Sequence, residues 1–152
     1  MDNLHIFLGA TVADAAARPL HWVYDPKKLN QFIKGKKEIA FLNQNKSPFY
    51  SIKTGNVSGY NDVGQVMFKT LISTQKKSEI LRNFKKNIIK NFGPGSAYWR
   101  NLKLRKKYKK IKWKKPMKGP WIHQNILETI QNIKAKKSIS GGTKVNESDG
   151  FC

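Results

Sequence analysis

Apolar residues recur at helical spacing in successive segments of this chain, and proline or glycine separates the segments. The spacing first runs over residues 4–17, and Pro19 limits that helix. Asp25-Pro26 predicts the start of a second helix, because aspartate is a favoured N-cap and proline suits the first helical position. Gly35 suits its end. No alternating apolar and polar run persists, so the pattern predicts an all-α fold.

Capping residues, glycine and proline also mark the predicted ends of the later helices. A third helix is predicted from Asn61 or Asp62, and a fourth has Ser78 as its N-cap and ends at residues 93–95. A short fifth helix follows, and a last helix opens at residues 119–120. The side chains predicted to face inward from the second and fourth helices are Leu29, Phe32, Ile33, Leu81, Phe84, Ile88 and Phe92.

Basic residues outnumber acidic ones by 30 to 9, which gives a formal net charge of +21. Residues 100–118 hold 11 of the basic residues and no acid, with leucine and aromatic residues between the lysines. Such a segment can bind phosphate backbones and stack bases. It can equally be a solvated connector whose aromatic residues anchor it to the core. Lysine lacks the paired donors with which arginine recognises phosphates, so both interpretations stay open.

Composition excludes several classes of protein. The single cysteine, Cys152, excludes an intramolecular disulfide framework. No run of about 18 apolar residues is present, which argues against a membrane span. The first residues lack the basic region of a signal peptide, so we expect a cytoplasmic location. At 39% hydrophobic residues, the chain is too apolar to be wholly disordered.

Acidic residues are scarce, so Asp14 and Asp62 stand out as candidates for chemistry. Asp14 lies at the edge of the apolar face of the first helix, and Asp62 lies at a helix start beside Asn61. Asp62 is either an N-cap or a ligand for a hard cation, with the Asn61 carbonyl next to it. Mg²⁺ prefers six oxygen ligands, and these three residues supply at most two negative charges.

Four ordered blocks of the chain resemble the ADP-ribosylglycohydrolase family, and most closely its branch of J-type crystallins and selenoprotein J. The blocks lie within residues 9–22, 47–62, 92–96 and 118–121. The resemblance implies an all-α helical bundle of that type, truncated to roughly the N-terminal half. Residues 1–140 would form this part, with a basic connector at 100–118. Residues 141–152 would be a polar tail or the start of the missing C-terminal half.

The resemblance also implies a chemistry, namely hydrolysis of ADP-ribosyl glycosidic bonds by a site with two Mg²⁺ ions. It indicates Asp14 as a catalytic residue, and Asp62 with Asn61 as metal ligands; the substrate-binding residues stay unknown. The substrate would be an ADP-ribosylated protein or an ADP-ribose derivative. Active members have Thr-Asp-Asp where this chain has Tyr60-Asn61-Asp62, and a glutamate where it has His21. The site therefore looks degenerate, and the chain alone is predicted to be a weak or inactive enzyme.

Three functions follow from these observations. The first is an ADP-ribosylglycohydrolase-like enzyme with a degenerate site, and the second is a non-catalytic, crystallin-like structural protein. The third is a lysine-rich nucleic-acid binder. Under the first two, Asp14 and Asp62 are predicted to approach each other across a helix-lined cleft. An exposed apolar patch is predicted where the missing half would lie.

Overall fold

The computed structural model describes residues 3–110, 112 and 116–137, and it confirms the all-α class for them. Two strands of two residues each, β1 (Tyr50–Ser51) and β2 (Met117–Lys118), pair in parallel between the helices. No helix in these ranges is long and apolar enough to cross a bilayer. The helices are α1 (Asn3–Ala17), α2 (Pro26–Ile33), α3 (Gly59–Ser73), α4 (Ile80–Phe92), α5 (Ala97–Lys110) and α6 (Gln124–Lys134).

The core forms where α4 packs against α3, α5 and α6. Ile88 and Phe92 of α4 are 0% and 1% exposed, and Ile126 and Ile130 of α6 are 1% exposed. Full burial of side chains of this size stabilises a fold by roughly 1.5–3 kcal/mol each. The remaining buried apolar members of this cluster are Val66, Tyr98, Leu102, Ile122 and Leu127.

The two short strands connect distant segments of the chain. The Met117 amide donates to the Phe49 carbonyl at 3.1 Å, and the Gly119 amide donates to the Ser51 carbonyl at 2.7 Å. The Asn101 amide group of α5 donates to carbonyls on either side of Gly119 at 3.0 Å each. These bonds hold the segment before α3 against the segment between α5 and α6.

The predicted capping of α2 is confirmed, but the predicted burial of its apolar side chains is not. The Asp25 carboxylate accepts from the amides of Lys27 and Lys28 at 2.9 and 3.3 Å, and Gly35 has a φ of +73°. No residue of α2 is buried. The predicted buried stripe was wrong, because α2 lies on the outside of the fold and its apolar side chains are only half-buried. The residues concerned are Leu29, Phe32 and Ile33.

Other boundaries also differ from prediction. Ser78 does not cap α4, because it lies inside a 3₁₀ turn, Lys77–Glu79, that precedes the helix. Leu81 is 63% exposed rather than inward-facing, since only the later turns of α4 reach the core. Helix α3 begins two to three residues earlier than predicted, at Gly59, and α6 begins later, at Gln124.

The basic segment is helical over its first part, because α5 continues to Lys110. Residues 111 and 113–115 lie outside the described residues, as does the predicted tail at 141–152. Within α5 the lysines are exposed, whereas Leu102 is 5% exposed and belongs to the core. Half of the predicted connector is therefore a helix that packs on the core, and its binding to nucleic acid stays a prediction.

Helix α1 exposes most of its apolar surface. Leu4, Ile6, Leu8 and Val12 are 42–57% exposed. Its contact with α3 includes a parallel stack of Phe7 on Phe68, with ring centroids 4.4 Å apart. A helix that is apolar on all sides is ordinarily buried. Helix α1 therefore leaves apolar side chains exposed, and the location of the patch where the missing half would lie stays a prediction.

Candidate functional site

Asp14 connects α1 to the beginning of α3. Its carboxylate accepts hydrogen bonds from the backbone amide and the hydroxyl of Ser58, both at 2.6 Å. Ser58 is the N-cap residue of α3 and is 2% exposed, but its own hydroxyl does not cap the helix. The Asp14 carboxylate therefore takes the place at the N-terminus of α3 where a negative charge is favourable.

Asp62 connects α3 to α5. It lies in the first turn of α3, and its carboxylate accepts a hydrogen bond from the hydroxyl of the buried Tyr98. Burial raises the pKa of Asp62, the Tyr98 hydrogen bond opposes that rise, and the negative charge of Asp14 adds to it. Burial and the charge of Asp62 raise the pKa of Tyr98, so the phenol keeps its proton and remains the donor.

The two predicted acids thus meet at one end of α3. Asp14 binds Ser58, and the Asp62 amide donates to the Ser58 carbonyl at 3.1 Å. The third predicted residue, Asn61, accepts from the side-chain amide of Gln65 at 3.1 Å within the same helix. The catalytic and metal-binding roles of Asp14, Asn61 and Asp62 stay predictions.

These residues do not fit the two-magnesium site that the family resemblance implies. Each side chain already has a hydrogen-bond partner within the protein, and only two of the three are carboxylates. In the described part of the chain, no three His, Cys, Asp or Glu side chains are grouped where they could hold a metal ion. Two dications need more anionic oxygen ligands than this arrangement offers.

Sequence analysis did not identify the role of Arg18, which is 2% exposed. Its guanidinium donates to the carbonyls of Asn56 and Lys53 at 3.0 and 3.2 Å, and to the Asn45 side chain at 2.6 Å. Asn45 in turn donates to the Tyr50 carbonyl at 2.8 Å. Burial lowers the pKa of Arg18, and these acceptors compensate for the loss of water. Arg18 therefore holds the long loop before α3 against the end of α1.

An aromatic cluster lies next to this loop. His21 Nδ1 lies 2.7 Å from the Tyr50 hydroxyl, and the rings of Tyr60 and His123 lie 3.9 Å apart between centroids. Trp22 has a φ of +63°, a conformation that is unusual for a bulky residue, and contacts five rings of the cluster. The members of the aromatic cluster are His21, Trp22, Phe49, Tyr50, Tyr60, Trp121 and His123.

The histidines of the aromatic cluster are neutral at pH 7. Burial lowers the pKa of His123 to about 3, and the charge that His21 carries when it is protonated and the positive charge of Arg105 add to the effect. Burial also lowers the pKa of His21. His21 therefore contributes ring packing and a hydrogen bond here. All members of the cluster except His123 fall within three of the four blocks that carry the resemblance, so most of the cluster could have been anticipated.

Comparison with known proteins gives two relatives. Crystallin J1B of Tripedalia cystophora is 31% identical over 144 residues, and Crystallin J1A of the same organism is 29% identical over 144 residues. The chain is similar to these two J-crystallins over nearly its whole length. Each match covers 95% of this chain but 41% of the relative, so the chain spans about two-fifths of the length of the curated relatives that it matches. No family model and no solved structure matches the chain.

Proposed function

We propose that this chain is a non-catalytic, crystallin-like structural protein that carries a degenerate form of the ADP-ribosylglycohydrolase acid site. Similarity to the J-crystallins supports the crystallin-like part of the proposal. The observation that carries the non-catalytic part is the internal hydrogen bonding of all three predicted ligands, Asp14, Asn61 and Asp62. These bonds occupy part of the acceptor capacity of the three side chains, and two carboxylates offer few anionic oxygens for two dications.

In this function the former site residues hold helices together. Asp14 ties α1 to the N-terminus of α3, and Asp62 ties the first turn of α3 to α5 through Tyr98. Hydrogen bonds to a charged acceptor contribute roughly 1.5–3 kcal/mol each, more than those between neutral groups. The proposal therefore gives Asp14 a stabilising role and Asp62 a role in positioning Tyr98, and neither role requires turnover.

The test combines a magnesium titration with a hydrolysis assay on ADP-ribosylated protein. We expect no saturable heat up to millimolar Mg²⁺, and no release of ADP-ribose above a protein-free control. Mg²⁺-dependent release that disappears in Asp62→Ala would overturn the proposal. Asp25→Ala is the matched control, because it removes an exposed carboxylate that caps α2 through the amides of Lys27 and Lys28.

Hydrolysis of ADP-ribosyl bonds is the second candidate function. The observation that favours it is the meeting of Asp14 and Asp62 at the first turn of α3, close enough for the charge of Asp14 to raise the pKa of Asp62. An ADP-ribosylated protein or an ADP-ribose derivative would then be the substrate. The hydrolysis assay above decides between the two candidates, since only this one predicts dependence on Asp62.

A further inference from the structure

Half of the basic residues of this chain lie in one part of the sequence. Residues 80–127, which are 48 of the 152, contain 15 of the 30 basic residues and no acid. Helix α5 carries seven of these basic residues over its 14 positions. Because no carboxylate of this stretch neutralises them, their charges add to a strong positive potential at the surface.

One side of α5 is fixed to the rest of the fold. Tyr98 and Leu102 are 7% and 5% exposed and belong to the core. The Arg105 guanidinium lies 4.2 Å from the centroid of the Trp121 ring. The Asn101 amide group donates to two carbonyls of the segment before α6 at 3.0 Å each. These contacts fix the orientation of α5 about its axis, and they therefore determine which of its side chains face the solvent.

The other side of α5 carries a row of cations. Four exposed residues recur at intervals of three or four and therefore follow one face of the helix. They are Arg100, Lys103, Lys107 and Lys110, and together they form the α5 cationic row. At a rise of 1.5 Å per residue, the row is about 15 Å long. Arg100 donates to the Gly95 carbonyl at 2.6 Å, which uses one of the five N–H donors of its guanidinium.

The phosphate backbone of a nucleic-acid duplex matches the row in charge and in length. Each DNA strand carries one negative charge per roughly 3.4 Å of the helix axis, so about four phosphates lie along 15 Å of one strand. The α5 cationic row presents four cations over the same distance. Each cation can therefore face a phosphate without any change in the fold.

The composition of the row favours contact with the backbone rather than with the bases. Three of its four members are lysines, which lack the paired donors with which arginine recognises a guanine edge. The row contains no aromatic residue on which a base could stack, because Tyr98 faces the core. It also offers little apolar surface to a membrane, since Leu104 is the only large apolar residue of α5 that is exposed.

We propose that the α5 cationic row binds duplex nucleic acid through its phosphates and without sequence preference. Binding releases the counterions of the contacted phosphates, so the affinity falls steeply as salt is added. The proposal concerns binding only, so it stands whether or not the chain hydrolyses ADP-ribosyl bonds.

Fluorescence anisotropy with a labelled DNA duplex of about 20 base pairs tests the proposal, with salt varied from about 50 to about 200 mM. We expect two duplexes of unrelated sequence to bind with equal affinity. Lys103→Gln, Lys107→Gln and Lys110→Gln combined should weaken binding about tenfold or more, and should make the slope of log K against log salt shallower by about 2.7, at roughly 0.9 per lost phosphate contact. The three side chains are exposed, and glutamine has nearly the helix propensity of lysine, so we expect this variant to fold.

The combination of Lys27→Gln, Lys28→Gln and Lys34→Gln is the matched control. These lysines lie on α2 or at its end and are exposed, and their replacement makes the same change in net charge. This control should keep the affinity and the salt slope of the unaltered protein.

Three results would overturn the proposal. Equal weakening by the two triple variants would show attraction to net charge alone. Absence of saturable duplex binding at about 50 mM salt would show that the row is not a nucleic-acid surface. Binding to phosphatidylserine vesicles but not to the duplex, lost in the α5 variant, would assign the row to a membrane instead.

Discussion

Replacing Asp14 by alanine tests the claim that this acid holds the fold together. The change removes two hydrogen bonds of 2.6 Å from the buried Ser58 to a charged acceptor. At roughly 1.5–3 kcal/mol each, their sum is about 3–6 kcal/mol, and water that reaches the half-buried site reduces the loss. Alanine in a helix interior offsets up to ~0.7 kcal/mol through its better helix propensity. We expect Asp14→Ala to lower the free energy of unfolding by about 3 kcal/mol.

Asp25→Ala provides the comparison, since it removes the same charge from an exposed N-cap. Loss of such a cap costs about 1 kcal/mol. Urea unfolding followed by circular dichroism gives both free energies by linear extrapolation. The predicted order is therefore a loss for Asp14→Ala about three times that for Asp25→Ala.

A double-mutant cycle with Ser58→Ala isolates the contact itself. The coupling between Asp14 and the Ser58 hydroxyl should be about 1–2 kcal/mol, within the range seen for residues in direct contact. A loss for Asp14→Ala no larger than that for Asp25→Ala, together with coupling near zero, would refute the structural role. The acid would then need another explanation, and the hydrolase candidate would gain support.

Two further predictions concern pH. Burial raises the pKa of Asp62 above its ordinary 3.8, so its contribution to stability is complete below that value and is lost as the pH rises through the raised pKa. Asp62→Asn should therefore gain stability relative to the unaltered protein between pH 4 and pH 7 in urea unfolding; an unchanged difference would contradict this. Burial lowers the pKa of His123 from 6.5 to about 3, so stability is complete above 6.5 and is lost as the pH falls towards 3. As the pH falls over this window, the free energy of unfolding of His123→Gln should decrease by up to ~1.4 kcal/mol per pH unit less than that of the unaltered protein. An identical pH dependence of the two proteins would contradict the lowered pKa of His123.

The helices could be predicted because their signals are local. Asp25 and Pro26 stand next to the turn that they start, and Gly35 stands next to its end, so the bounds of α2 agree closely with prediction. Burial was less predictable, because it depends on which elements cover a helix. Leu81 and the apolar residues of α2 have helical spacing, but nothing in the spacing shows that they lie at the periphery.

The site could be predicted only in part, for the same reason. The scarcity of acids identified Asp14 and Asp62, and the structure brings both to the first turn of α3. Their partners could not be predicted, since Ser58 lies 44 residues from Asp14 and Tyr98 lies 36 residues from Asp62. Contacts over such separations depend on tertiary packing, which spacing along the chain does not encode.

The apolar surface of α1 has a consequence for how molecules of this protein meet in solution. Two copies attract each other through side chains such as Ile6 and Val12, while a net charge of +21 on each copy repels the other. The repulsion acts over roughly 30 Å at 0.01 M salt but only about 3 Å at 1 M, whereas contact between apolar helices depends far less on salt. Ionic strength therefore sets the balance, and light scattering should show attraction overtaking repulsion as salt is added.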